Sequence, residues 1–153
     1  FIPAHESPTG VALLITAAEV SRTLTVYEIG RVIVTNVADA GAGTLRAAID
    51  CVIEGGTITY DQQATPPVES TLLTNALDIN KSLTIRGLSQ TQKPIITADF
   101  AQIAPDSAIK IMNEKTVKLV DVDFSELNPS GAPILEIEPN ATLEIKTSTQ
   151  INN

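Results

Sequence analysis

The sequence predicts an all-β protein built as a parallel β-helix, and three observations predict it. The first is an internal repeat. Ile109-Lys110-Ile111 returns as Leu135-Glu136-Ile137, and Val117-Lys118-Leu119 returns as Leu143-Glu144-Ile145, both after 26 residues and without a gap. The second is charge. Stacked in that register, Lys110 lies beside Glu136 and Lys118 beside Glu144, with Asp78 on the other side of Lys110. Opposite charges on neighbouring strands contribute roughly 0.2–1 kcal/mol each, and the apolar positions alone chose the register with which they agree. The third is composition: 18 Ile, 18 Thr and 11 Val against 3% aromatic residues make an aliphatic, β-branched core. A 26-residue unit of two or three short strands does not hold together alone. Ordering it costs ~1–2 kcal/mol per residue, and each inward aliphatic returns only ~1.5–3 kcal/mol. Copies must therefore stack, strand on like strand, which gives parallel sheets and a solenoid.

Each element follows in order. Residues 1–10, with Pro3, Pro8 and Gly10, read as an extended lead-in. Residues 11–36 hold Val11 to Ile15, an alternation of Val20, Leu24 and Val26, and Val32-Ile33-Val34; two or three strands are expected, with a short helix over 11–20 as the alternative. Ala38 to Gly43 is a turn. Thr44 opens a helix over 44–54 with Leu45, Ala48, Ile49 and Val52 on one face, stopped by Gly55-Gly56. Cys51 lies inside it and is expected to be an inert core or near-core residue. Thr57 to Tyr60 is a strand, 61–70 a Pro-containing loop, and Leu77-Asp78-Ile79 with Leu83-Thr84-Ile85 a less regular early copy of the repeat. The chain divides into residues 1–30, a strand-rich lead-in or the end of a preceding domain, and 31–153, the solenoid. Phe1 is not an initiator methionine and no signal-peptide pattern follows it, so the chain reads as a processed product or, in preference, an excised piece of a longer polypeptide.

Charge and composition exclude several functions. Ten basic against 18 acidic residues, a net charge of −8, cannot supply the Lys/Arg surface that phosphate backbones require, so nucleic acid is not an expected partner. No apolar run approaches the ~20 residues of a membrane-spanning helix. With Cys51 as its single cysteine the chain cannot form an internal disulfide or a cysteine-based zinc site.

The segment Asp39-Ala-Gly41-Ala-Gly43-Thr-Leu45-Arg46-Ala-Ala-Ile49 resembles the Asp-x-Gly-x-Gly-Ser/Thr-Leu-Arg-x-Ala-Ile motif of large bacterial surface and secreted proteins, whose right-handed parallel β-helices are of the pectin-lyase-like type. In those proteins the motif follows a strand ending Val-Thr-Asn, matched by Val34 to Asn36. It precedes a Thr-Ile-Thr-aromatic strand, matched by Thr57 to Tyr60, and then Ile-Asn-Lys-Ser-Leu-Thr-Ile-x-Gly, matched by Ile79 to Gly87. The likeness covers roughly residues 32–87, and residues 1–30 lie outside it. It implies a right-handed coil whose N-terminal end is capped by the short helix, with Arg46 holding the cap through an ion pair or carbonyl contacts. It also implies an extracellular or cell-surface location.

Candidate chemistry is sparse. Asp121 and Asp123, with Glu126 nearby, are the best carboxylates for a glycosidase pair, which needs ~5–9.5 Å between two acids. Val120, Val122 and Phe124 alternate with them and are expected to point inward, so both aspartates should face solvent on one strand, with Gly87 and Thr147 stacked beside Asp121. A solvated acidic face is the expected reading. The same three residues are the one calcium candidate, and no other cofactor is expected. His5, the single histidine, sits in the lead-in and makes no cluster. Asp106-Ser107-Ala108 resembles a bacterial O-glycosylation motif, with Ser107 the acceptor. The function expected is a non-enzymatic structural or adhesive module of a bacterial surface or secreted protein, acting through self-association, other protein chains or a larger surface complex. The alternative is a carbohydrate-binding module or a fragment of a polysaccharide lyase or hydrolase, for which a glycan would be the partner.

Overall fold

The computed structural model describes residues 11–17, 20–26, 30–146 and 150–151; His5 and Thr147 lie outside them. Strands β1 (Val11–Ala17) and β2 (Val20–Val26) form an antiparallel two-stranded sheet, so the segment is strand and not helix. From β3 (Arg31–Val34) onward, every strand pairing is parallel and the chain winds as a β-solenoid.

After β3 come α1 (Leu45–Cys51), β4 (Thr57–Tyr60), β5 (Ser70–Leu73), β6 (Leu77–Ile79), β7 (Leu83–Arg86), β8 (Ile95–Asp99), α2 (Phe100–Ile103) and β9 (Ile109–Ile111). The later coils add β10 (Thr116–Val120), β11 (Asp123–Leu127), β12 (Leu135–Ile137), β13 (Thr142–Lys146) and β14 (Gln150–Ile151). Three sheets form the walls: β3-β4-β7-β10-β13, then β5-β8-β11-β14, then β6-β9-β12. Alternation along each strand sends aliphatics inward, and they meet in one core with Phe100 and Phe124.

The register is the one the repeat predicts. Val117 pairs with Leu143 and Leu119 with Ile145; Leu135 pairs with Ile109 and Ile137 with Ile111. On the other side, Leu83 and Ile85 pair with Val117 and Leu119, and Asp78 with Lys110. The repeat also sets the corners. Glu114 and Asn140, which stand at equivalent positions, both take left-handed backbone, φ 63° and 62°. Each corner closes with a matching turn bond, Lys115 N to Met112 O and Ala141 N to Glu138 O.

Helix α1 fills the stretch between β3 and β4, and it packs on β3 at the N-terminal end of the solenoid. Leu45, Ala48, Ile49 and Val52 are buried in the core cluster. The helix stops at Cys51, short of the glycines, because Val52 turns to extended backbone. Cys51 is exposed and not a core residue: at ~100° per residue it falls roughly 110° from the centre of the apolar face, on its flank.

Candidate functional site

The polar residues of the glycine motif converge on one corner. The Gly43 carbonyl accepts from the backbone N–H of Thr35 and Asn36. This close return, with φ at +77°, leaves no room for a side chain: a Cβ there would sit 2.3 Å from Thr35 Oγ1. Thr44 then caps α1, its hydroxyl accepting from Ala47 N and donating to Gly41 O. Arg46 reaches across to the second coil. Its Nη2 lies 2.7 Å from Asp39 Oδ1 and 3.0 Å from the Asn75 carbonyl, and its Nη1 donates to the Ala76 carbonyl. The other oxygen of Asp39 accepts from Thr74 and Asn75. Burial pushes the Asp39 carboxyl up, but the bonds from Asn75 and Arg46, the Arg46 charge and the Thr74 hydroxyl outweigh it and hold it below the ordinary carboxylate value.

The second matched segment holds the far end of the same helix. Lys81 Nζ donates to the carbonyls of Ile49, Asp50 and Val52, at 3.1, 2.5 and 2.9 Å. These are the acceptors that a helix end leaves unsatisfied, and a cation there also meets the negative end of the dipole. Glu54 accepts from Ser82 N. Gly87 permits a close approach between coils, since a Cβ would fall 2.2 Å from the Asp121 carbonyl.

The acidic residues are arranged differently from the expected solvent-facing pair. Asp121 is 7% exposed and takes left-handed backbone, φ 53°. The bend ends β10 at Val120 and begins β11 at Asp123, so the alternation breaks. Val122 and Phe124 enter the core, whereas Val120 stands on the outer side of its strand. Asp123 forms an ion pair with Lys93 at 3.2 Å. Among the described residues no three His, Cys, Asp or Glu side chains gather to hold a metal ion, so Asp121, Asp123 and Glu126 do not form a cluster. Ser107 is buried and its hydroxyl donates to Glu136 at 2.8 Å, which joins neighbouring coils. Glu136 and Glu138 flank Lys110, at 3.3 and 3.0 Å. Donating to Glu138 and Glu136 raises the lysine's pKa; the Ser107 hydroxyl and then Lys110 lower Glu136, and Lys110 lowers Glu138.

The surface carries two further features. One is a depression of about 320 Å³ over the outer face of β3, β4 and β7, lined by Arg31, Thr57, Thr59, Arg86, Gly87 and Leu88 among others. The other is the C-terminal end. Strands β12, β13 and β14 are each last in their sheets, and Ile137 and Ile145 are both 47% exposed. Their partners one coil earlier, Ile111 and Leu119, are 0% and 2% exposed. Compared with family models, curated proteins and solved structures, the chain matches none of them.

Proposed function

We propose that this chain is a non-enzymatic structural or adhesive module of a bacterial surface or secreted protein, which works outside the cell by stacking end to end on a second copy. One observation carries the reading: in the last described coil Ile137 and Ile145, in register with the buried Ile111 and Leu119, present an apolar face 47% exposed that another coil can cover. An open edge of unpaired N–H and C=O groups recruits another strand. The resemblance of residues 39–49 and 79–87 to surface-protein motifs supports the location. The motif residues Asp39, Gly43, Arg46 and Lys81 hold the first turn together.

Magnitudes suggest a weak, reversible contact. Covering the exposed half of two isoleucines returns ~1.5–3 kcal/mol, and association costs ~4–15 kcal/mol in lost freedom. The strand bonds must supply the difference, so association is expected in the high micromolar range. Sedimentation of the chain from about 10 to 500 μM tests this. Growth in mass with concentration, reversed by Ile145→Lys, is the expected result. A monomer that stays folded across the whole range sinks the proposal.

A further inference from the structure

Of the cations whose side chains are described, Arg46, Lys93, Lys110, Lys115, Lys118 and Lys146 each pair with a carboxylate, and Lys81 holds three carbonyls. Arg31 and Arg86 differ: both are exposed, and neither guanidinium has a carboxylate partner among the described residues. In a chain with 18 acidic and 10 basic residues, leaving two arginines without acids runs against the average surface. They are also neighbours. Arg31 pairs in register with Thr57, and Thr59 with Arg86, so the arginines sit on strands either side of β4 with the two threonines between them. Strands lie ~4.8 Å apart, which places the two arginine strands ~10 Å apart across one outward row of hydroxyls. Arg31 already leans over β4, its Nε donating to Thr59 Oγ1 at 3.3 Å.

We infer that the depression framed by Arg31 and Arg86 is a binding site for a small oxyanion, a carboxylate or phosphate group carried on a ligand of low molecular weight. A guanidinium presents paired N–H donors that match a carboxylate or phosphate edge, and two of them on one group give geometric selection that a point charge does not. Thr57 and Thr59 add hydroxyls able to donate to the same oxygens. At about 320 Å³ the space lies at the small end of ligand pockets, ~300–1,000 Å³, which suits a single anionic group with a short body. The overall −8 charge repels anions at long range, so capture depends on this local arrangement and not on the field of the molecule. The site is on the outer wall of the solenoid, away from the exposed last coil, so it stands independently of end-to-end stacking.

Calorimetric titration of the full chain with inorganic phosphate, and separately with succinate, tests the assignment, with chloride added to hold ionic strength fixed. At least one probe is expected to saturate in the millimolar range. Arg86→Ala and Arg31→Ala should each weaken it tenfold or more, and Arg86→Lys should recover only part. Lys118→Ala removes a cation from the same face that is already paired with Glu144, and should change affinity less than twofold. Saturation by phosphate alone or by succinate alone supports the site and assigns its geometry as tetrahedral or planar. Absence of saturation by either probe up to about 50 mM overturns the inference. So does a Lys118→Ala loss as large as that of Arg86→Ala, which would indicate diffuse charge. Unchanged melting temperatures for the arginine variants, expected because both side chains are exposed, keep a lost signal from being a folding defect.

Discussion

Placing an aspartate at position 117 tests the stacked register directly. Val117 is 1% exposed, with Leu83 on one side and Leu143 on the other. Val117→Asp forfeits ~1.5–3 kcal/mol of apolar burial and buries an uncompensated charge, which costs roughly 3–5 kcal/mol. The sum, about 5–8 kcal/mol, consumes most of the ~5–15 kcal/mol by which a domain is stable. The partner experiment is one residue along. Lys118 faces outward, and its pair with Glu144, at 3.5 Å, joins two substantially exposed side chains; such pairs contribute ~0–1 kcal/mol. Lys118→Asp should therefore cost about 1 kcal/mol, including the new like-charge contact with Glu144. Val117→Ala, which opens a cavity without a charge, should fall between them at roughly 1–3 kcal/mol. Urea unfolding followed by far-ultraviolet circular dichroism at neutral pH gives the midpoints. Because a one-residue slip moves every side chain to the other face, a tolerated Val117→Asp beside a collapsed Lys118→Asp would refute the register. Equal small losses would refute the stacked core itself.

The first turn should show its ion pair in both a mutation and an acid titration. Arg46→Ala leaves Asp39 buried without its cation and should cost about 2–4 kcal/mol, with Arg46→Lys restoring part. Because Asp39 is held below its ordinary value of 3.8, its contribution is complete above that value and is lost as pH falls through the lower folded one. Urea midpoints should drop on acidification below about pH 4 in the parent chain, and less steeply in Arg46→Ala; equal slopes would remove Asp39 from the account. Gly87→Ala should lower the thermal midpoint by a cost of at least ~1–3 kcal/mol, since its Cβ would fall 2.2 Å from the Asp121 carbonyl and 2.8 Å from Pro94. A midpoint matching the parent would show that the coils separate there without penalty.

The sequence by itself determined what depends on like strands stacking on like. The alternation of Val117, Leu119, Leu143 and Ile145 with Lys118 and Glu144 is a local pattern, and one register satisfies both its apolar and its charged positions. The start of α1 near Thr44 and the buried face of Leu45, Ala48 and Ile49 follow from helical spacing in the same way. Position across coils was decided by the tertiary structure. The early coils differ in length, with Ile58 paired to Ile85, 27 residues on, but Leu83 to Val117, 34 residues on, and the difference lies in loops that carry no periodic signal. Those loops set which outward residues become neighbours, and so brought Arg31 and Arg86 to either side of Thr57 and Thr59. The left-handed bend at Asp121, where the Gly87 backbone comes close to its carbonyl, was equally hidden, because an acidic residue between valines reads as strand alternation. Periodic apolar patterns report local geometry and burial, whereas the meeting of polar groups from separate coils depends on the whole path of the chain.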